Sequence, residues 1–530
     1  MTRPALPVLV FVLLLAVWLL WLPPSPDLAA QVYRVHLFSV DGFSLWDNNW
    51  YGGHYLLGYS LLFPPLAAFL GLHLLGAIAA IASTLIFGRL ARMRFGSRWA
   101  AATALFAVGA VGDLYIGRIT FALGVSFGLG AVLATAEDRR WIAPSLSLLC
   151  AAASPVAGLF LGLAAAADLL TNRALARAAA LAVPALALIL VLAVLFPEGG
   201  EETFAFSSLL AAGGLSALVM LLLPPSERLL RNGLALYLLA LALAYLVSSP
   251  MGSNAVRLGV LFTPAILMGS VGVEDLRRAP ERLARWISRR TPRVHSGRLS
   301  HGTARLALAV LCLGLLVWQL DGPVTQSVQA STDPSTHLSY YQPAIAYLDA
   351  HSEGEPLRIE VPFTQSHWDA TILGQRFGLA RGWDRQLDTR YDSIFYEPQL
   401  TAGAYRTWLL QTGARFVALS DAPLDFSSRQ EATLIRGGLP FLHLVFTSAH
   451  WHIYAVQGAL PLMQGPGRLS AIEPTGFTLF AATRGSFLVR IHYTPYWYIT
   501  SGGGSISEAP GGWTRIISEH PGALTIAAQL

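Results

Sequence analysis

From residue 7 to residue 320 the sequence is a succession of long apolar runs separated by short loops, and this pattern leaves few folds open. About 20 apolar residues match the hydrocarbon core of a bilayer, and backbone in lipid must satisfy its own hydrogen bonds, so such runs are helices. They lie near 7–22, 72–91, 99–113, 118–136, 142–153, 154–171, 178–196, 206–223, 230–248, 257–273 and 304–320. The prediction is an α-helical polytopic membrane protein with about eleven transmembrane helices. Length alone leaves open whether residues 142–171, interrupted at Ser154-Pro155, are two spans or one kinked helix. The first run follows Arg3 and lacks a small-residue cleavage site, so it reads as an uncleaved span rather than a signal peptide. Composition agrees: 54% of the 530 residues are hydrophobic and 13% charged, against roughly 25% charged in soluble proteins. A soluble enzyme and a disordered chain are both excluded.

Every one of the 36 basic residues is arginine, and their positions matter more than the net charge of +5. Of the 23 arginines before residue 322, twenty fall at one set of run ends. They include Arg89 to Arg98, Arg139, Arg140, Arg173, Arg177, Arg228, Arg231 and a cluster from Arg277 to Arg305. The positive-inside rule makes those ends cytoplasmic, which puts the protein in the cytoplasmic membrane with its N-terminus inside and everything after Asp321 outside. The alternation holds only if 142–171 crosses twice. The opposite loops carry Asp27, Asp41, Asp47, Asp113, Glu198, Glu201 and Glu202. Nucleic-acid binding needs a basic face, and these arginines are dispersed among apolar runs. Cys150 and Cys312 each sit inside such a run and read as small buried hydrophobes.

Two domains follow. Residues 1–322 form a transmembrane domain with a large first outer loop at 24–71. Residues 323–530 hold 16 of the 31 acidic residues and no run of spanning length. Helical patterns at 344–351 and 404–412, and β-rich runs at 358–363, 415–420, 443–456, 477–482 and 487–494, predict a mixed α/β layer followed by β-strands.

Three arginines lie on the other side, and Arg118 and Arg257 stand at the mouths of spans. A cation there is costly unless paired or wet, and guanidinium pairs bidentately with phosphate oxygens. The plain alternative is a structural pair such as Arg118 with Asp113. Arg34 shares the first outer loop with Asp41, Trp46, Asp47, Asn48, Asn49, Trp50, Tyr51 and His54. Aromatic faces stack on sugar C–H faces while Asp and Asn bond hydroxyls, and a carboxylate there can activate an acceptor hydroxyl. An interfacial aromatic belt is the competing reading. The next stretch, Tyr55 to Leu66, contains Pro64 and Pro65 and reads as a re-entrant or interfacial helix. In the outer domain, Ser366-His367-Trp368-Asp369 and Arg381-Gly382-Trp383-Asp384 either cover a site and bind acceptor sugar or dock the domain. His450 and His452 share a strand face without a third metal ligand.

The acidic first outer loop, its Trp/Gly/Tyr-rich stretch and the Pro-broken segment resemble the GT-C superfamily of integral-membrane glycosyltransferases. The pattern Trp46…Tyr51-Gly52-Gly53…Gly58-Tyr59 resembles arabinofuranosyltransferase-type members. The likeness in plan covers the whole chain, whereas the motifs cover residues 41–66. The resemblance implies inverting transfer of a sugar, arabinofuranose or a hexose, from a polyprenyl-phosphate donor to a cell-envelope glycan or lipid acceptor outside the bilayer. It implies Asp41 as base with Asp47 competing, and Arg118, Arg257, Asn254 and His54 at the donor phosphate. It further implies Trp46, Trp50, Tyr51, His367, Trp368, Arg381, Trp383 and Asp384 at the acceptor or sugar. Members with an Asp-x-Asp pair suggest a divalent cation, but Asp41 and Asp47 are six residues apart. A transporter or flippase of lipid-linked sugars and a non-catalytic glycan-binding scaffold are the competing functions. Ionisable groups are nearly absent from the spans, Asp168 lying at a cytoplasmic end, which disfavours a coupled transporter.

Overall fold

The computed structural model describes residues 5–281, 297–352 and 354–529. Arg3 and the arginines between 282 and 293 in the expected cytoplasmic cluster lie outside the described residues. The chain divides into two compact units, and the division differs from a cut at 322/323. Unit 1 comprises Met1–Pro23, Leu70–Val191 and Glu202–Val328; unit 2 comprises Pro24–Phe69, Leu192–Glu201 and Gln329–Leu530. The first outer loop, expected within the membrane domain, therefore folds with the C-terminal region.

Unit 1 is helical, with a helix on every expected apolar run. Among the described residues, six helical stretches are long and apolar enough to cross a membrane, or seven if the bent pair Ala5–Trp21 and Pro26–Asp41 counts as one. These are the features of a polytopic membrane protein. Large side chains such as Leu13, Leu85, Leu190, Leu246 and Val310 are exposed on these helices, a surface suited to lipid rather than water. The stretch Leu72–Ile116 turns at Gly96, whose φ of +52° suits glycine, so that Gly88 packs on Thr103. The ambiguous segment resolves into Ile142–Ala153 and Pro155–Asn172, separated by an extended Ser154. A Cβ at Gly158 meets Ala151 at 3.0 Å, whereas seven residues of straight helix rise roughly 10 Å. The chain doubles back at Ser154.

The arginine-rich helix ends are tied to one another. Arg89 pairs with Glu137, Arg94 with Glu227, and Arg98 donates to the Ser270 carbonyl. Near the same kind of end, Arg177 pairs with Asp168, and Asn232 donates to Thr171. These links gather ends that the charge pattern assigns to one side.

Unit 2 opens on the helix Pro26–Asp41, where the sequence predicts an outer loop. Proline in its first turn needs no N–H partner, Asp27 complements the helix dipole, and Gly42 at φ +71° ends it. A short hairpin follows, β1 (Trp46–Asp47) and β2 (His54–Tyr55). The expected helix over 55–66 is absent; Phe63–Leu70 is the helix, with Pro64 and Pro65 in its first turn where they start rather than break it.

The C-terminal part contains a five-stranded sheet of β3 (Arg358–Glu360), β4 (Gly378–Leu379), β5 (Phe416–Ser420), β6 (Leu442–Thr447) and β7 (Trp451–Val456), in the order β4-β3-β5-β7-β6. β3 runs parallel to β4 and β5, and β7 is antiparallel to β5 and β6. Helices Leu338–Ala350 and Ala402–Thr412 fall where helical periodicity placed them. Two four-stranded antiparallel sheets follow. One has β8 (Met463–Gln464), β11 (Gly485–His492), β13 (Gly504–Ala509) and β14 (Trp513–Ser518). The other has β9 (Gly467–Glu473), β10 (Gly476–Ala481), β12 (Trp497–Ser501) and β15 (Gly522–Ala528).

Candidate functional site

The helix Pro26–Asp41 carries Arg34, Leu37, Phe38 and Asp41 at i, i+3, i+4 and i+7, a single stripe. Arg34, Leu37 and Phe38 line a cavity of about 380 Å³, counting its part open to solvent. Gly42, Phe43, Ser44, Leu56, Leu57, Ser60, Leu61, Pro64 and Pro65 complete its walls. The lining is apolar except for one guanidinium and two hydroxyls. Asp41 ends the stripe beside the wall residues Phe38 and Gly42, and it is exposed. Partial burial raises its pKa above the ordinary carboxylate value, with His36 opposing the shift.

Arg34 is 5% exposed, and its Nη2 lies 2.9 Å from Asp384 Oδ2. Its guanidinium stands 4.0 Å over the Tyr59 ring and 5.5 Å from that of Trp50. This buried cation is therefore compensated by a carboxylate and two ring faces.

Asp47 differs from Asp41 in every respect that matters to a base. It is fully buried, Tyr33 Oη donates to Oδ2 at 2.9 Å, and the Asn49 amide donates to Oδ1 at 3.0 Å. Burial pushes its pKa up to about 7, against these hydrogen bonds. His54 Nδ1 lies 3.9 Å from Asp47 Oδ2. Burial, reinforced by nearby Arg34, pushes the His54 pKa down to about 3, so the ring is neutral. A neutral buried imidazole cannot supply positive charge to a phosphate, which corrects the expectation for His54.

The aromatic residues of the loop are internal. Trp46, Trp50 and Tyr51 are 2%, 0% and 3% exposed. Trp46 donates to Asn48, whose amide reaches the Glu473 and Gly476 carbonyls. Trp50 donates to the Ala370 carbonyl and stacks on Tyr33 at 4.1 Å, and Tyr51 donates to the Gly382 carbonyl. These rings hold the loop onto the C-terminal part of unit 2 and present no face to a sugar, contrary to expectation.

The two motifs of the outer domain do the same from the other side. Trp368 donates to the Pro24 carbonyl, Trp383 to that of Pro26, and Thr371 to that of Ala29, fastening the start of the helix. His367 is buried, stacks on Trp383 at 3.4 Å, and sits 3.5 Å from Asp425. Arg381 is buried against Asp388, at 2.9 and 2.7 Å, with Glu431 at 3.4 Å and Glu360 at 3.9 Å. Burial raises the pKa of Glu360, and that of Glu431 to about 7. His367 and Arg381 are thus buried within unit 2, whereas Trp368, Trp383 and Asp384 are half-buried.

In unit 1, Arg118 caps the N-terminus of Ile119–Ala136, and Arg257 lies in the first turn of Val256–Ser270. The Arg257 guanidinium stands 5.6 Å from the Phe121 ring, one turn from Arg118, so the fold brings both arginines to one end of the helices. Arg118 Nη1 is 3.9 Å from Asp113 Oδ1, and Asn254 is buried, its amide 3.5 Å from the Pro250 carbonyl. The two guanidinium groups share this end with carboxylates: Asp113 lies beside Arg118, and Ser253, just before Val256–Ser270, donates to Glu202 at 2.9 Å.

Sequence reasoning missed Glu198 as a partner of the loop. In unit 2 its carboxyl is buried near Gly58, and burial together with Asp384 raises its pKa, with Arg34 opposing. Its position after an apolar run gave no sign of this. His450 precedes its strand and donates from Nδ1 to Asp421 Oδ2 at 3.0 Å, while His452 is exposed on β7. Among the described residues no three His, Cys, Asp or Glu side chains are grouped to hold a metal ion. No family model matches the chain, and no curated protein matches it.

Proposed function

We propose that this chain is a GT-C-type glycosyltransferase of the cytoplasmic membrane. It crosses eleven times with the N-terminus inside, and transfers a sugar from a polyprenyl-phosphate donor to an envelope glycan or lipid outside. The observation that carries this reading is the stripe ending in Asp41: an exposed carboxylate on the same helical stripe as Arg34, Leu37 and Phe38, which line an apolar cavity. A base must reach an acceptor hydroxyl from solvent, and of the two loop acids only Asp41 is accessible.

In the proposed step Asp41 takes the acceptor hydroxyl proton while the acceptor oxygen bonds to the anomeric carbon from the face opposite the phosphate. The bond from that carbon to the phosphate oxygen breaks, and its electron pair leaves with the polyprenyl monophosphate. The charge that develops on the phosphate falls to Arg118 and Arg257, the residues that the GT-C resemblance assigns to it. The sugar, arabinofuranose or a hexose, is set by contacts that the donor itself will reveal.

Purified protein incubated with radiolabelled polyprenyl-phosphate sugars and a glycan acceptor tests the proposal. Wild type releases polyprenyl phosphate, Asp41→Asn loses at least about 100-fold in rate, and Asp47→Asn keeps most of it. Release by no donor, or full activity in Asp41→Asn, overturns the reading.

A further inference from the structure

Among the described residues the buried arginines are Arg34, Arg358, Arg381, Arg385 and Arg490, all of them in unit 2. Three have a carboxylate: Arg34 on Asp384 at 2.9 Å, Arg381 on Asp388 at 2.7 Å and Arg385 on Asp425 at 2.8 Å. Arg358 on β3 and Arg490 on β11, 2% and 5% exposed, pair with no carboxylate among the described residues. Glu360, two residues along β3 from Arg358, lies 3.9 Å from Arg381 instead.

The end of the helix Ala402–Thr412 holds both guanidinium groups. Arg358 Nη1 donates to the Thr412 carbonyl at 2.7 Å, and Arg490 Nε to that of Gln411 at 3.1 Å. Arg490 Nη1 also donates to the Pro461 carbonyl at 2.6 Å. A helix C-terminus offers about half a negative charge, which leaves most of two full positive charges uncompensated. Burial accordingly pushes the Arg358 pKa down to about 9, with Arg490 adding to the shift and no acid opposing it.

The donors left over form a fork. Nε and Nη2 of Arg358 share one edge of the guanidinium and make no hydrogen bond among the described residues, Nε being buried. Arg490 Nη2 makes none either. Gly52, at φ +75°, lies against the Arg358 guanidinium, where a Cβ would meet Nη2 at 3.1 Å. Backbone without a side chain therefore borders the fork.

Buried charges are paired in folded proteins, and an anion supplies what is missing here. A carboxylate on a partner protein cannot reach groups this deep. Chloride matches the charge, but the two parallel N–H bonds of a guanidinium edge match two oxygens of one group. We propose that Arg358 and Arg490 form a binding site for one free inorganic oxyanion, phosphate or sulfate, which ties β3 and β11 to the end of the helix Ala402–Thr412. The ion is structural. Its site shares no residue with the Asp41 cavity and does not rest on glycosyl transfer.

Equilibrium dialysis of the full chain in phosphate-free detergent buffer against radiolabelled sulfate tests the site. Wild type binds one sulfate per chain, saturably, and free phosphate displaces it while chloride at equal ionic strength does not. Arg490→Gln weakens binding at least about tenfold, Arg490→Lys, which keeps the charge but loses the fork, falls between, and the exposed Arg468→Gln leaves binding unchanged. Saturating sulfate raises the wild-type melting temperature by about 5 °C and that of Arg490→Gln by less, a cooperative melt establishing that the variant folds. Absence of saturable sulfate binding, equal binding in Arg490→Gln, or displacement by chloride as tight as by phosphate overturns the proposal. So does displacement by glucose 1-phosphate as tight as by free phosphate, which would assign the fork to the phosphoryl end of a larger ligand.

Discussion

At the scale of single residues, the two loop acids show how burial separates groups that look alike in sequence. Asp41 and Asp47 lie six residues apart in one polar stretch, yet one is exposed and the other is sealed with Tyr33, Asn49 and His54 around it. The Asp47 pKa of about 7 stands above the value of an unfolded aspartate, about 3.9. The folded state therefore binds this proton more tightly. The stability it contributes is complete below about pH 4 and is lost as the pH rises to 7. Glu431, also at about 7, adds to the same trend. Thermal melts of wild type are expected to fall between about pH 5 and pH 8, and to fall less steeply in Asp47→Asn. An equal slope in the two proteins would place the titration elsewhere.

At the scale of elements, the β1–β2 hairpin depends on close backbone approach. Gly53 has φ +123°, and a Cβ there would meet the Trp46 ring at 2.6 Å. Gly42, which ends the helix at φ +71°, has nothing within 4 Å. Gly42→Ala is thus expected to cost about 1–3 kcal/mol, from a backbone conformation that favours glycine and nothing else. Gly53→Ala must also displace a buried indole that anchors the loop, and about 3 kcal/mol or more is expected. Denaturant melts that rank the two variants in the opposite order would contradict this account. The helix Pro26–Asp41 belongs to this scale too. Its apolar and polar residues alternate around one stripe too irregularly to stand out, and it forms because Trp368, Trp383 and Thr371 hold the carbonyls of its N-terminal end.

At the scale of the whole molecule, the charge pattern and the contacts among helix ends support one alternation. Arg89, Arg94 and Arg98 reach Glu137, Glu227 and Ser270, three ends assigned to the cytoplasm by arginine count alone. The chain reverses at Ser154, between Ile142–Ala153 and Pro155–Asn172. With Cys150 and Cys312 replaced by alanine, Ser97→Cys and Ser226→Cys are expected to react with an impermeant maleimide only from the cytoplasmic side. Ser505→Cys is expected to react only from outside. Labelling of Ser97→Cys and Ser505→Cys from the same side would overturn the orientation.

The apolar runs by themselves determined the helices of unit 1, because a segment that must bury or face lipid along its whole length has only its own backbone to bond with. Periodicity also placed two helices and five β-rich runs after residue 330, but not the strands from Trp497 onward, whose short runs are punctuated by Gly and Pro. The acidic, aromatic loop was legible as the place to look. Which of its residues face solvent was decided only by tertiary structure. Trp46, Trp50, Tyr51, His54 and Asp47 carry the same side chains whether buried or exposed, and contacts more than 300 residues away, such as Trp50 with Ala370, settle the matter. The same holds for Arg381, whose surroundings come from Glu360, Asp388 and Glu431 on separate elements. Local pattern reports what a segment must bury; only the assembled fold reports which polar groups it buries with it.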